Sequence, residues 1–290
     1  MILYVLIYSV INSMVILLTA IGFSIVFGIS GIANFAHGAL LIIVGYATWF
    51  LITHVGIPYF FAMFISAAFV ALLGVLIYRV AILPVRGMMF SEVIVSYGLA
   101  VAILEFFRWA GLVFYDYNLP LFFKGEFEIA GVVVDYQGLM IVILSIAVLI
   151  ALWYITHRIN FGLALRAIAQ DEYTALSLGI DSDATAALSL AIGGILAAIA
   201  AYAILPLRII HVNFGYDVLI LSLVVTVFGG VESLGGLLLA SFILGFLQTI
   251  IATYLATHWI QVIYLFILMV VLAFKPSGLF GKFHEMEERV

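Results

Sequence analysis

The sequence predicts an all-α fold, a polytopic helical bundle that spans a membrane. Of its 290 residues 67% are hydrophobic and only 9% are charged, whereas a soluble domain is roughly half apolar and a quarter charged. The mean hydropathy is +1.37, and the 25 glycines fit helical membrane chains, where Gly is commoner than in soluble helices. Above all, the apolar residues fall into long runs, and runs of about 18 or more are candidate spans.

In chain order the runs lie at about 3–28, 38–53, 58–80, 91–111, 138–156, 184–205, 216–229, 236–255 and 258–274. The first lacks a basic leader and a small-residue cleavage site and is too long for a signal peptide, so it reads as a span. The second and seventh are short and flanked by glycine, and either could be a half-helix that enters and leaves one side. The count is therefore eight or nine spans in a single transmembrane domain, 1–290. The stretch of about 112–137, LVFYDYNLPLFFKGEFEIAGVVVDYQ, is the longest outer loop. Its β-branched and aromatic residues around Gly125 and Gly131 suggest a short hairpin; a connector lying on the membrane surface fits as well, and a docking surface for an outer partner is a third reading.

Basic residues orient the bundle. Arg79 and Arg86 share one loop, Arg158 and Arg166 another, and Lys275, Lys282 and Arg289 follow the last run. Crossing parity puts these three groups on one side, which is therefore cytoplasmic and includes the C-terminus. The net charge of −5 and the absence of a basic run leave nothing that points to nucleic acid. With no cysteine, thiol chemistry and Cys-ligated metals are excluded. No catalytic motif and no His–carboxylate cluster at metal spacing occurs, so an enzyme is not expected.

Two segments interrupt the apolar pattern with glycine and polar residues. VFGISGIANFAHGALLIIVGY (Val26 to Tyr46) and VFGGVESLGGLLLASFILG (Val227 to Gly245) both open with Val-Phe-Gly, cross a polar step and resume an apolar run. An internal repeat and a chance match both fit. Irregular backbone at membrane depth is tolerated only inside protein or along a wet cavity, and paired glycine-interrupted segments point to a transport pathway. This makes Asn34, His37, Gly38, Tyr46, Glu232 and Ser233 candidate pathway residues. For His37 the plainer reading is a histidine with no substrate contact, and for Glu232 a solvated loop carboxylate. Glu105 lies within a span, where a carboxylate is a functional candidate by default, but Arg108 one turn later makes an interfacial i,i+3 pair the simpler account.

The run FGLALRAIAQDEYTALSLGID (Phe161 to Asp181) is a polar helical segment of about five turns, bracketed by Gly162 and Gly179. Asp181 or Asp183 would cap the next span. Its Gly162, Arg166-Ala167, Gln170-Asp171-Glu172, Ala175 and Leu178-Gly179-Ile180 resemble the cytoplasmic signature of integral permease subunits of branched-chain amino acid ABC importers. NFAHGALLIIVGY (Asn34 to Tyr46) is similar to that family's N-terminal motif, and closer to the shorter of its two paired permeases. VFGGVESLGGLLLASFILG resembles the C-terminal glycine motif. Departures are Ala39 where relatives often have a carboxylate, Glu232 where Gly is usual, and Gly235 where Pro is common.

The resemblance implies a pathway formed with a second permease, two cytoplasmic ABC ATPases, and an extracytoplasmic solute-binding protein, in the bacterial cytoplasmic (inner) membrane. The chain would carry no cofactor, ATP being bound by the partner subunits. The segment of about 161–180 would be the coupling helix. In it Arg166, Ala167, Gln170, Asp171, Glu172, Ala175, Leu176, Leu178 and Gly179 would form the ATPase contact, with Arg166 and Glu172 making charged contacts and Leu176 and Leu178 filling a groove. The cargo would be a branched-chain or other hydrophobic amino acid, or a related small solute such as an amide or urea. An autonomous carrier or channel is the competing class, and the scarcity of intramembrane ionisable residues weighs against a proton-driven one.

Overall fold

The computed structural model describes residues 1–113, 116–231, 233–275 and 277–281, apart from the side chain of Ile29. It is a helical bundle, and each of the nine apolar runs becomes a helix. α1 is Ile2–Ser30, α2 is His37–Phe50 continued by the π-helical turn Leu51–Val55, and α3 is Tyr59–Ile77 continued through Val85. α4 is Met89–Trp109 and α5 is Tyr136–Arg158; the short α6 (Asn160–Gln170) and α7 (Glu172–Ser177) follow. α8 is Ser182–Ile204, α9 is Asn213–Gly229, α10 is Leu234–Tyr254 and α11 is Trp259–Phe274. Seven of these helical runs are long and apolar enough to cross a membrane, and α9 and α11 are shorter apolar helices. α2, a candidate half-helix on sequence, runs unbroken over 19 residues with its π-helical turn, or about 28 Å.

The loop before α5 contains the expected hairpin. β1 (Glu126–Ile129) pairs antiparallel with β2 (Val132–Asp135), with Ile129 opposite Val132. Ala130 (φ 48°) and Gly131 (φ 84°) turn the chain between them. Both have the positive φ that matches the twist of a two-residue hairpin. The Tyr8 hydroxyl donates to the Val133 carbonyl (3.0 Å), which ties the hairpin to the start of α1. The turns after α1, α3, α5 and α9 therefore lie on the opposite face. On that face residues 277–281 fold back along the end of α9, the Leu279 and Phe280 amides donating to the carbonyls of Phe228 (2.9 Å) and Gly229 (3.1 Å).

α1 and α8 are the most buried spans. In lipid there is no hydrophobic drive to bring helices together, so small residues that permit close approach set the packing. α8, SDATAALSLAIGGILAAIAAYAI, is built of such residues. Its two glycines face different neighbours: a Cβ on Gly193 would lie 2.5 Å from Val26 of α1, and one on Gly194 would lie 2.8 Å from the Val70 carbonyl oxygen of α3. Polar side chains add ties between helices, such as Asn12 to Thr249 (3.0 Å), Ser145 to the Met14 carbonyl (3.2 Å) and Tyr202 to the Met63 carbonyl (2.6 Å).

The connection from α1 to α2 is re-entrant. His37, the first residue of α2, donates from Nε2 to the carbonyl of Thr19 (2.9 Å). Thr19 lies eleven residues before the end of α1, or about 16 Å along the helix axis. Residues 31–36 thus climb back into the bundle, with Ile32, Asn34 and Ala36 buried. Their polar backbone is satisfied locally, as hydrocarbon demands. The Phe35 amide donates to the Ser96 hydroxyl (3.2 Å), which lies 3.2 Å from the Ala33 carbonyl. Asn34 Oδ1 accepts from the Ala36 amide (3.1 Å), and the Asn34 carbonyl accepts from the His37 amide (3.2 Å). Ser222 of α9 also donates to the Thr19 carbonyl (3.0 Å), so one oxygen ties α1, α2 and α9 together.

Three expectations follow. Gly194→Val should lower the thermal stability of the detergent-purified chain by about 1–3 kcal/mol through overpacking. The exposed Gly235, with nothing within 4 Å of an added Cβ, should accept Ala without loss. His37→Ala should cost about 2 kcal/mol or more, from a lost buried hydrogen bond and a cavity. Thermal melting followed by size-exclusion chromatography checks all three.

Candidate functional site

The polar segment between α5 and α8 forms a projecting knuckle. α5 ends at Arg158, and Ile159 is extended (φ −100°, ψ 142°), turning the chain into α6. The expected single helix of five turns is broken at Asp171. That residue is extended (φ −158°, ψ 105°), and its Oδ1 accepts from the amides of Tyr173 (3.0 Å) and Thr174 (3.2 Å). An aspartate that caps a new helix cannot also continue the old one. The Thr174 hydroxyl also donates to Asp171. Hydrogen bonds from that hydroxyl and from the Thr174 amide hold the Asp171 carboxyl below the usual carboxylate range. Gly179 (φ 84°) ends α7, and Asp181, one of the two candidate caps, accepts from the Ala184 amide (2.9 Å) to start α8.

The inner face of the knuckle is fixed to the bundle. Leu165 and Ala175 are buried, and Gly162 lies so close to the end of α5 that a Cβ there would be 2.0 Å from the Ile155 carbonyl oxygen. Arg86, from the turn between α3 and α4, reaches across to this face. Its Nη2 donates to Glu172 Oε1 (2.6 Å) and to the Ser182 hydroxyl, and its Nη1 to Asp183 Oδ1 and the Tyr78 hydroxyl (2.9 Å). Ser182 donates to Glu172, and Tyr78 to Asp183 (2.7 Å). Burial alone would disfavour the guanidinium cation, but Tyr78, Glu172 and Asp183 outweigh it and raise the Arg86 pKa. One arginine thus joins three elements, a geometry to which its planar fork is suited. Glu172, expected to reach outward, is turned inward into this cluster.

The outer face is a small, mostly apolar surface. Tyr173, Leu176 and Leu178 are exposed at 76%, 48% and 74%, too much for residues that complete an internal core. Arg166, Gln170, Asp171 and Gly179 are exposed around them, and Ala167 is half-buried. Tyr173 was absent from the sequence-based set. Nothing in a single sequence marks it, since its orientation depends on the break at Asp171.

The candidate pathway residues behave differently. Asn34 and His37 are buried and spent on the re-entrant connection, and a Cβ on Gly38 would lie 2.0 Å from the Gly215 carbonyl oxygen of α9. Ser233 caps α10, its Oγ accepting from the Gly236 amide (3.0 Å). Tyr46 donates to the Leu112 carbonyl (2.7 Å) and borders an apolar cavity of about 560 Å³ between α2, α3 and α4, lined also by Trp49, Phe69 and Phe107. Glu232 lies outside the described residues. Among the described residues no group of His and carboxylates could hold a metal.

The first glycine-interrupted segment runs from the end of α1 through the re-entrant connection into α2, and the second from the end of α9 into α10. A family model described as the branched-chain amino acid transport system permease component matches residues 5–273. The high-affinity branched-chain amino acid transport system permease protein BraD of Pseudomonas aeruginosa is 29% identical, over 91% of each chain. LivH of Escherichia coli K12, described in the same words, is 28% identical, also over 91% of each chain. A probable branched-chain amino acid transport permease protein LivH of Methanocaldococcus jannaschii is 27% identical over 94% of this chain and 90% of that one. Among solved structures, PsaBC from Streptococcus pneumoniae, in complex with Fab, shares the fold at a TM-score of 0.51 and 14% identity, covering 96% of this chain and 94% of that one. A multi-pass helical bundle with a projecting knuckle, matched almost end to end, belongs to the branched-chain amino acid transport permease family.

Proposed function

We propose that this permease is the membrane subunit of an ATP-driven importer for branched-chain or other hydrophobic amino acids, and that the α6–α7 knuckle is where a cytoplasmic ATPase docks. The observation that carries the reading is the exposed trio Tyr173, Leu176 and Leu178, on and just after a helix fixed from behind by Arg86. A surface that transmits force must be apolar enough to bind and rigid enough not to yield, and this one is both. A second permease completes the pathway, two ATPases drive it, and an extracytoplasmic binding protein supplies the amino acid on the hairpin side. The knuckle, its arginines and the C-terminus then lie in the cytoplasm of a cell bounded by this inner membrane. Nucleotide-driven closure of the ATPases shifts the permease pair between two global states.

The roles of the knuckle residues divide by orientation. Leu176, Leu178 and Tyr173 fill the ATPase groove, Arg166 supplies a charged contact at its rim, and Asp171 sets the helix break. Arg86, acting through Glu172, is a positioning residue.

Leu178→Asp should abolish co-purification of the ATPase and uptake together, because it places a charge in the centre of the contact. Arg86→Gln should leave the ATPase bound but reduce uptake by about tenfold, the equivalent of about 1.4 kcal/mol of coupling. It leaves Glu172 and Asp183 facing each other without a cation. The pair Arg86→Gln with Glu172→Gln should recover part of that loss, since a neutral cluster can still hydrogen-bond. Pull-down and uptake in proteoliposomes check these expectations; Leu178→Asp complexes that assemble and transport normally would refute the docking surface.

A further inference from the structure

The exposed faces of most spans are uniformly apolar, as lipid requires. α3 shows Phe60, Phe64, Leu72 and Leu76, and α5 shows Leu139, Ile143 and Ile150. One face departs from this. α9 lies between α4 and α11, and the three helices bring polar side chains together near the ends of α4, α9 and α11 that lie on the hairpin side. Glu105 and Arg108 of α4 pair at 3.1 Å, with side chains 44% and 45% exposed. Arg108 Nη2 donates to Asn213 Oδ1 of α9 (2.8 Å), and the Tyr216 hydroxyl of α9 to Glu105 Oε1 (3.4 Å). Gln261 of α11 donates to Asp217 Oδ1 of α9 (2.6 Å). Further toward the knuckle the same face turns apolar, with Tyr97 and Ile94 of α4 and Ile220 of α9 exposed.

Ionisable groups inside a span are costly toward lipid and face protein or a water-filled cavity instead. An arginine at a helix end can extend to the interface on its long stem, but a glutamate four residues inside the end of α4 has no such reach, and neither does Asp217. We infer that the α4–α9 face is one wall of the translocation pathway, closed opposite by the second permease, and that Glu105 and Arg108 receive the charged head of a zwitterionic aliphatic amino acid. This rests on the proposed function above. The Glu105 carboxylate and the Tyr216 hydroxyl take the ammonium group. Arg108, steadied by the Asn213 amide, takes the carboxylate. The aliphatic side chain lies along Ile220 and Tyr97. Fixed groups of both signs above an apolar strip match both ends of such a ligand, whereas an uncharged amide or urea would use only the hydrogen-bonding part.

The absence of cysteine from the chain gives a direct test. The complex purified through a tag on this chain is reconstituted with Tyr97→Cys, Ile220→Cys, or the lipid-face controls Leu72→Cys and Ile143→Cys, and exposed to a charged methanethiosulfonate. The reactive thiolate forms where water reaches the sulfur, so positions 97 and 220 should be labelled, and protected by leucine, while 72 and 143 stay unlabelled. Inert cysteines at 97 and 220 overturn the wall, whatever the cargo. Leucine uptake by Glu105→Gln and Arg108→Gln should fall by about tenfold or more through loss of a charge-assisted contact, with the ATPase still bound. Uptake at the unsubstituted rate in both overturns their role at the mouth. If the unsubstituted complex moves no amino acid while 97 and 220 are labelled, the wall stands and the proposed cargo is what fails.

Discussion

A single carbonyl, that of Thr19, bears much of the order in this bundle. It accepts from His37 of α2 and from Ser222 of α9 in the middle of α1. The underlying constraint is that hydrocarbon offers no hydrogen-bond partner, so backbone that leaves helical form at membrane depth must be closed by protein. Residues 31–36 do leave it, and Ser96, Asn34 and His37 close the polar groups they expose. The position of α2 is fixed as a result, and with it the neighbours against which α9 packs. The glycine pair of α8 then fits α1 and α3 at distances that no larger residue allows.

The knuckle is tied to that centre through one side chain. Arg86 sits in the turn three residues before α4 and holds Glu172 of α7 together with Asp183 of α8. α8 is locked to the core by Gly193 and Gly194, while α4 is the least buried of the long spans. A load on α7 therefore meets a fixed element on one side and a lightly packed one on the other. α4 is also the helix that carries Glu105 and Arg108. The proposed docking surface and the polar cluster thus lie toward the two ends of one helix, with Arg86 just before its start and Glu105 and Arg108 near its end.

Much of the architecture was legible in the sequence because lipid imposes a simple rule. Length and apolarity alone located nine helices, and the Gly131 turn with its β-branched flanks located the hairpin. Charge and glycine marked Phe161 to Asp181 as unlike its surroundings. The division of that segment was less visible, because Asp171 is acceptable within a helix until its side chain captures two amides of the next turn. The inward turn of Glu172 was hidden for another reason. Its partner Arg86 is 86 residues away, and no local pattern reports a contact between a turn and so distant a helix. The sequence left His37 between a pathway contact and a histidine with no substrate contact, because a polar group at membrane depth can face a cavity or form an internal tie. Choosing between them requires Thr19 to be in view.

The same limit explains why the pair Glu105 and Arg108 reads differently in sequence and in space. At i and i+3 on one helix, the two form a self-contained ion pair that asks for nothing further. Packing adds Asn213 and Tyr216 from α9, while Asp217 pairs with Gln261 of α11 beside them. Three helices that each place polar groups at one level of one face cannot all be relieving a local mismatch, because each would be better served by an apolar residue if that face met lipid. Their convergence beside an apolar strip, on the helix that Arg86 connects to the knuckle, is the arrangement expected of a wall that must meet water and a charged cargo. An isolated interfacial pair would require none of it.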